Sequence, residues 1–266
     1  MFSKKLKISK EKEIAYFEMI SQDSDVAVVI IHGLAEHKGR YLEFINRLHS
    51  SKYSVFALDL IGHGESSGKR GDIRSFSEYV EELEEFISYI RGKYPNMKIG
   101  LFGHSVGGLV ACCYISYYKD IEFLILSNPL LEKKRILSIL RFLPYKIFGS
   151  LEIKKRHSES KEMLLYSRND PLSCKYLTLR LLGEIFIEGL NYGLKRLPYI
   201  ETPLLLLGGC EDNLVKTNNY DKIIDNFKSR DKTLKMYENV RHRLVHSAKK
   251  DEVMGDIANW IAERFN

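Results

Sequence analysis

Apolar and polar residues follow one another along this chain in two different patterns, which predict strands separated by helices. Continuous apolar runs, such as Val26–Ile31, are typical of strands that are buried on both faces of a mainly parallel sheet. Apolar residues at steps of three and four, as between residues 76 and 90, predict an amphipathic helix. Strands that alternate with helices in this way indicate an α/β fold with a mainly parallel central sheet.

The predicted elements follow one another along most of the chain. The two strands between Lys4 and Ile20 are expected to form a hairpin at one edge of the sheet. Further strands are predicted before Ser105 and at Val26–Ile31, Tyr53–Leu58, Ile121–Leu126, Pro203–Leu207 and Thr233–Tyr237. Helices are predicted after Ser105 and at Tyr41–Leu48, Phe76–Tyr89, Asn219–Phe227 and Asp251–Phe265.

The alternation stops between Leu130 and Ile200, where the chain is helical in tendency and shows no clear strand. This segment carries fourteen basic and seven acidic residues, so it more than accounts for the net charge of +6. We therefore predict an insertion into the sheet domain. A basic segment interleaved with Leu, Ile and Phe suits contact with anionic lipid or an anionic substrate, although a solvated, lysine-rich surface has the same composition.

Length and composition limit the classes of protein that fit. The 266 residues, 44% of them hydrophobic, predict one domain with a sizeable core. No run approaches the roughly 18 apolar residues of a membrane span, residues 1–12 lack the apolar stretch of a secretory signal, and no nucleic-acid motif accompanies the positive charge. The cysteines show no metal-ligand spacing and are expected to be small buried side chains in a reducing compartment. They are Cys112, Cys113, Cys174 and Cys210.

The strongest chemical signal is Gly103-His104-Ser105-Val106-Gly107, which lies between a short apolar strand and a helix of small and apolar residues. A serine at the tip of such a sharp turn has strained backbone angles, and the two glycines remove side chains that would clash there. The turn places the Ser105 hydroxyl above the sheet and at a helix N-terminus, which favours negative charge. The motif therefore predicts a nucleophilic serine.

A serine hydroxyl needs a general base, and the base needs a group that orients it. Because functional side chains gather at the carboxyl ends of strands in α/β sheets, both partners are expected directly after strands. Asp212 follows the strand that ends at Leu207 and is favoured as the orienting group, with Glu211 as its rival. His242 follows the strand that ends at Tyr237 and is favoured as the base.

Other residues at strand ends compete for these roles. Asn128 also follows a predicted strand, but an amide cannot carry the negative charge of an orienting carboxylate. His246 lies only four residues after His242 and remains a competitor for the role of base. Three histidines in turns that precede or adjoin the serine are expected to brace loops through backbone hydrogen bonds: His32, His63 and His104.

Acyl transfer also requires two N–H groups that bind the developing oxyanion. The amide of Val106, directly after the serine, is expected to be one of them. The other is expected to be the amide of Leu34, in the turn after the first buried strand, where Gly33 lets the backbone approach closely.

Together these segments resemble the monoacylglycerol lipase and lysophospholipase branch of the α/β-hydrolase fold. The resemblance covers about residues 30–245 and rests on residues 32–41, 59–68, 103–108, 169–172, 209–212 and 237–242. It implies a catalytic triad and an oxyanion hole, formed by the side chains of Ser105, Asp212 and His242 and by the amides of Leu34 and Val106. It also implies a helical cap of residues 130–197, inserted into a hydrolase core of residues 1–129 and 198–266.

The function implied by the resemblance is a cofactor-independent and metal-independent serine ester hydrolase that cleaves monoacylglycerol or lysophospholipid through an acyl-enzyme on Ser105. The cysteines and the N-terminal residues predict a cytoplasmic protein, and the basic charge of the cap predicts peripheral contact with membranes. Peptidases and acyl thioesterases have similar folds, and a peptidase would need an acidic anchor, for which Glu184 and Glu188 are candidates. A non-catalytic ligand-binding member would usually lack a triad residue. One departure from the family is Arg243, which stands where Glu is usual and is expected to change the electrostatics beside His242.

Overall fold

A computed structural model describes residues 2–132, 152–154 and 169–265 of the chain. The strands are β1 (Lys4–Lys7), β2 (Glu13–Met19), β3 (Val26–Ile31), β4 (Ser54–Leu58), β5 (Lys98–His104), β6 (Phe123–Ser127), β7 (Glu152–Lys154), β8 (Tyr176–Thr178), β9 (Leu204–Gly209) and β10 (Lys232–Tyr237). The helices are α1 (Leu42–Ser50), α2 (Ser77–Lys93), α3 (Val106–Tyr118), α4 (Leu179–Gly183), α5 (Leu190–Arg196), α6 (Tyr220–Asp225) and α7 (Lys250–Phe265). A π-helical stretch, Glu184–Gly189, joins α4 to α5.

Eight strands form one sheet in the order β1-β2-β4-β3-β5-β6-β9-β10. The pairs from β4 to β10 are all parallel, whereas β1 and β2 form an antiparallel hairpin and β2 runs antiparallel to β4. This arrangement confirms the predicted α/β fold and the predicted edge hairpin. Three of the four residues of β1 are lysines, which discourage pairing with another chain at the exposed sheet edge.

Helices cover both faces of the sheet and enclose two apolar clusters. On one face, α2 and α3 contribute side chains such as Phe86 and Leu109. On the other face, α1 and α7 contribute side chains such as Phe44 and Trp260. The central strand β3 is buried at all six positions, as its unbroken apolar sequence predicts, and each such Val or Ile contributes roughly 1.5–3 kcal/mol by leaving water.

The segment between β6 and β9 differs in part from its prediction. Two short strands, β7 and β8, pair antiparallel within it, although its sequence shows no clear strand. Strands of three residues are too short to show an alternating pattern in the sequence. Much of the predicted cap, residues 133–151 and 155–168, lies outside the described residues, and the domain boundaries stay a prediction.

The described end of this segment packs closely on the sheet domain. Gly189 lies against the ring of Phe76, just before α2, and Gly193 lies against Leu109 of α3. A side chain at either glycine would overlap these groups, so glycine allows the helix to approach α2 and α3. In the part of the chain that the structure describes, no helix is long and apolar enough to cross a bilayer.

The four cysteines are all free thiols. Cys112, Cys113 and Cys174 are buried, as predicted. Cys210 is exposed, so the prediction was wrong for this residue. It lies directly after β9, where the chain leaves the sheet for the surface loop that carries Asp212.

Candidate active site

Ser105 forms the sharp turn that its motif predicts. It lies between β5 and α3 with φ 54° and ψ −115°, in the left-handed half of backbone space that non-glycine residues rarely occupy. A side chain at Gly103 would overlap the backbone of Gly107 and Gly108, and one at Gly107 would overlap the carbonyl of Ile31. The glycines are therefore required by close packing of backbone around the serine.

Ser105 is fixed by backbone hydrogen bonds on both sides of its peptide. Its N–H donates to the carbonyl of Ser127 at the end of β6, at 3.0 Å. Its carbonyl accepts from Gly108 N–H at 3.1 Å and from Leu109 N–H at 3.3 Å, in the first turn of α3. The serine therefore stands at the N-terminus of a buried helix and at the carboxyl edge of the sheet.

Asp212 and His242 are in direct contact. The Nδ1 atom of His242 lies 2.6 Å from Oδ2 of Asp212, whose side chain is fully buried. The other carboxylate oxygen accepts from the N–H groups of Leu214 at 2.7 Å and Val215 at 3.0 Å. Burial alone would raise the pKa of Asp212, but the hydrogen bond from His242 and the two amides outweigh it, so the pKa lies below its ordinary value. An ionised Asp212 can orient the imidazole and stabilise its charged form.

The two rivals for these positions have other surroundings. Glu211 is exposed. The Nε2 atom of His246 donates to the carbonyl of Arg40 at 2.7 Å, and its ring packs edge-on against Tyr41. The structure thus brings His242, rather than His246, to Asp212.

A neighbouring contact places the ring of His242 beside the serine turn. The ring of His104, next to Ser105, lies 4.8 Å from the ring of His242, centre to centre. The Nδ1–H group of His104 donates to the carbonyl of Ser127. Burial lowers the pKa of His104 to about 3, so this ring is neutral and acts as a brace.

His32 and His63 also brace loops as predicted. The Nδ1–H group of His32 donates to the carbonyl of Gly33 at 2.8 Å, and its Nε2 atom accepts from Leu60 N–H at 3.0 Å. The Nδ1 atom of His63 lies 3.1 Å from the carbonyl of Ile61. These bonds fix the turns that follow β3 and β4.

The turn after β3 carries Leu34 beside the serine. Gly33 is so close that a Cβ atom there would lie 3.4 Å from Cβ of Ser105. Ala35 completes the tight turn with φ 62°. In the described part of the chain, no hydrogen bond to another protein group uses the N–H of Leu34 or of Val106. Neither amide, which the sequence predicts as an oxyanion donor, therefore has another protein acceptor among these residues.

Asn128 is a residue of this site that sequence reasoning considered only as an acid and set aside. Its Nδ2 group donates to the carbonyls of His242 at 2.8 Å and Arg241 at 3.3 Å, and its Oδ1 atom accepts from Gly209 N–H at 3.0 Å. It therefore joins the end of β9, which leads to Asp212, to the loop that carries His242. The signal that could have found it is a polar residue directly after a buried strand. Such a residue can connect loops through hydrogen bonds without carrying a charge.

A second histidine–aspartate pair lies nearby. The Nε2–H group of His37 donates to Oδ2 of Asp170 at 2.7 Å, and the same oxygen accepts from Arg40 and Ser173. Burial would raise the pKa of Asp170, but the hydrogen bond from His37 and its neighbours lower it to about 2. The pair joins the turn after β3 to the segment that follows residue 168.

In the described ranges, no group of three or more His, Cys, Asp or Glu side chains is arranged to hold a metal ion. The chemistry that the site can perform is nucleophilic attack by a serine hydroxyl, with an oriented imidazole as base and two backbone amides for the oxyanion.

The chain as a whole is similar to several known proteins. The family model described as serine aminopeptidase, S33, matches residues 22–248. A monoglyceride lipase from Mus musculus is 30% identical over 253 residues, which cover 90% of this chain and 82% of that protein. The phospholipase YtpA from Bacillus subtilis is 29% identical and is covered to 93% of its length. The crystal structure of Paleococcus ferrophilus monoacylglycerol lipase superposes with a TM-score of 0.83 at 25% identity, over 94% of this chain and 98% of that one.

Proposed function

Since the chain belongs to the α/β-hydrolase family described as serine aminopeptidase, S33, we propose that it cleaves lipid monoesters with Ser105 as the nucleophile. It is a hydrolase of the esterase and lipase class, as are its relatives named monoglyceride lipase and phospholipase. The observation that best supports the proposal is the hydrogen bond between buried Asp212 and His242, at the sheet edge where Ser105 stands in its strained turn. Monoacylglycerol is the proposed substrate, and lysophospholipid is the second choice.

The mechanism assigns one step to each group. The Nε2 atom of His242 removes the proton of the Ser105 hydroxyl while the serine oxygen attacks the ester carbonyl carbon. Asp212 holds the imidazolium through Nδ1–H. The N–H groups of Leu34 and Val106 bind the oxyanion of the tetrahedral intermediate, and removing one such donor typically costs about 3 kcal/mol.

The bond between the tetrahedral carbon and the alcohol oxygen then breaks, and the alcohol takes the proton from His242. When the substrate is monoacylglycerol, the alcohol that leaves is glycerol. An acyl-enzyme on Ser105 remains. His242 next removes a proton from water, whose oxygen attacks the acyl carbon. The serine oxygen recovers a proton from His242 and the fatty acid leaves.

We further propose that residues 130–197 form a cap over this site. Support comes from the described end of the segment, where the π-helical stretch lies against Phe76, just before α2, and α5 lies against α3. Its basic composition and the exposed ring of Tyr176 suit peripheral contact with an anionic bilayer. Flotation with phosphatidylserine vesicles at low and high salt tests this contact, which is expected to weaken as salt rises.

A peptidase is the second candidate, because the description of the family names an aminopeptidase. Such an enzyme would need an acidic side chain that is free to bind an amino terminus. The carboxylate of Glu184 is buried and accepts from Phe76 N–H at 3.0 Å, at the start of α2. Glu188 is exposed. Because the Glu184 carboxylate already accepts the hydrogen bond from Phe76 N–H, it is less suited to bind an amino terminus, which favours ester substrates over aminopeptidase substrates.

The test is hydrolysis of a chain-length series of p-nitrophenyl esters and of 1-monoacylglycerol, lysophospholipid, an acyl thioester and an aminoacyl amide. Wild type, Ser105→Ala and Ser88→Ala are compared, since Ser88 is an exposed serine on α2. Ser105→Ala is expected to lower kcat by about 10⁴-fold or more, and Ser88→Ala to leave it unchanged. A fluorophosphonate probe is expected to label Ser105 in wild type and Ser88→Ala only.

Two results would contradict the proposal. Full activity of Ser105→Ala would exclude Ser105 as the nucleophile. If the protein cleaves the aminoacyl amide or the thioester but none of the oxygen esters, its substrates belong to that class and are not lipid monoesters. A protein that binds monoacylglycerol but cleaves none of these compounds would be a non-catalytic member of the fold.

We also propose that the protein works in the cytoplasm, a reducing compartment. Support comes from its four free thiols, none of which forms a disulfide. Cell fractionation tests this location, and recovery in an oxidising compartment would contradict it.

A further inference from the structure

The carboxylate of Glu36 lies between two loops of the site. One oxygen, Oε2, accepts from Gly33 N–H at 3.3 Å and from the Tyr41 hydroxyl at 2.8 Å. The other oxygen, Oε1, lies 2.7 Å from Nε of Arg243. Glu36 therefore joins the turn after β3 to the residue that directly follows His242.

Burial makes this ion pair different from a surface salt bridge. The side chains of Glu36 and Arg243 are 4% and 11% exposed. Burial would raise the pKa of Glu36, but the positive charge of Arg243 outweighs it and holds the pKa well below its ordinary value. Because both groups are charged and shielded from water, removing either one is expected to disturb the site more than breaking a pair on the surface would.

Each end of the pair is connected to a group that the proposed mechanism uses, Glu36 through its hydrogen bond from Gly33 N–H and Arg243 through the chain. Gly33 precedes Leu34, the proposed oxyanion donor, and packs against Ser105. Arg243 follows His242, the proposed base. The charged hydrogen bond between Glu36 and Arg243 therefore connects the turn that carries the Leu34 amide to the loop that carries the His242 imidazole.

We propose that Glu36 and Arg243 are positioning residues, whose ion pair aligns the Leu34 amide with the imidazole of His242 in the transition state. This inference rests on the proposed function. Neither side chain touches the reacting atoms in this role. A displacement of about 1 Å between catalytic groups can lower a rate by about 100-fold, so loss of the pair is expected to reduce kcat with little change in KM.

The experiment compares Arg243→Met, Glu36→Gln, the double variant Glu36→Gln/Arg243→Met and Arg243→Lys. Arg264→Met is the matched control. Arg264 pairs with Asp231 at the amino-terminal end of β10, whereas His242 follows its carboxyl end. Steady-state kinetics with a p-nitrophenyl ester give kcat and KM. Affinity for an alkyl trifluoromethyl ketone reports binding of the oxyanion, and affinity for the fatty acid reports ground-state binding.

Arg243→Met is expected to lower kcat by about 10- to 100-fold, with KM within about threefold of wild type. Affinity for the trifluoromethyl ketone is expected to fall in proportion to kcat/KM, whereas affinity for the fatty acid stays the same. The double variant is expected to be no worse than either single variant, because each removes the same contact. Arg243→Lys keeps the charge and is expected to recover part of kcat. Arg264→Met is expected to keep the wild-type kcat.

A purely structural pair would give a different result. If Arg243→Met lowers only the melting temperature and keeps wild-type kcat and ketone affinity, the inference is wrong. If Arg243→Met does not fold, Glu36→Gln decides, because it removes the charge of the pair but keeps the size of the side chain. Wild-type kcat with wild-type ketone affinity in that variant overturns the inference. Ser105→Ala separates the two levels of argument: an active Ser105→Ala contradicts the proposed function, whereas an inactive Ser105→Ala beside a fully active Arg243→Met contradicts only the positioning role.

Discussion

Two histidine–aspartate pairs of this protein have almost the same length but different surroundings. His242 contacts Asp212 at 2.6 Å through Nδ1, and His37 contacts Asp170 at 2.7 Å through Nε2. In the second pair the remaining ring nitrogen, Nδ1 of His37, accepts from Gly39 N–H at 3.2 Å. Both nitrogens of His37 are therefore occupied by the protein.

The first pair leaves its outer nitrogen open. Within the described residues, no protein group forms a hydrogen bond with Nε2 of His242, and the ring lies beside His104 at the serine turn. Asp212 is satisfied by two backbone amides in addition to the histidine, whereas Asp170 is shared with Arg40 and Ser173. The hydrogen bonding of the second ring nitrogen, and not the contact with the carboxylate, therefore distinguishes the proposed base from the structural brace.

The largest expected difference between the pairs is in the rate. Asp212→Asn is expected to lower kcat by about 10⁴-fold, because the amide holds the imidazole in the wrong tautomer. Asp170→Asn is expected to change kcat by less than about tenfold, since His37 has no nitrogen free for proton transfer. Ester hydrolysis by both variants measures this difference. Equal losses in the two variants would contradict the distinction between the pairs.

A substitution at Asn128 is expected to disturb the contact between His242 and Asp212 and to leave the pair of His37 and Asp170 unchanged. Asn128→Gly keeps the left-handed backbone of this position, φ 43°, but removes the side chain that ties Gly209 to the His242 carbonyl. It is expected to lower kcat by about 10- to 100-fold through misplacement of His242 relative to Asp212.

The matched control for Asn128→Gly is Asn239→Gly, because Asn239 is an exposed asparagine with φ 60°. The control is expected to keep wild-type kcat in the same ester assay. If both variants lose activity equally, the effect belongs to the backbone substitution and not to the Asn128 side chain.

The smallest expected effect concerns acid stability and the second pair. Because the folded-state pKa of Asp170 is lowered to about 2, its ionised form stabilises the fold above about pH 4, the range of an unfolded aspartate. That contribution is lost as pH falls from about 4 to about 2. Asp170→Asn is therefore expected to be less stable than wild type above pH 4 and to approach it near pH 2.

Urea unfolding of wild type and Asp170→Asn between pH 2 and pH 6 measures this window. Asn239→Gly, which changes no charged group, serves as the control for a general loss of stability. A stability difference that stays constant across the whole range would show that Asp170 acts by packing and not by its charge.

Local patterns predict the elements that are wholly buried or sharply turned. The apolar run Val26–Ile31 coincides with β3, because a strand covered on both faces needs apolar residues at every position. The glycines around Ser105 predict its turn, because only glycine fits the backbone contacts there. Patterns were less informative at element ends, where α2 continues to Lys93, and for strands of three residues such as β7 and β8.

The sequence by itself determined the α/β fold, the serine turn and the short set of residues that stand after strands, because each of these depends on residues close together in the chain. Only the tertiary structure decided that His242 and not His246 meets Asp212, that Asn128 holds the His242 loop, and that Arg243 pairs with Glu36. A linear pattern carries no record of which strand ends become neighbours. The order of strands in the sheet fixes that, and it brings residues separated by 30 to 207 positions into hydrogen-bond contact.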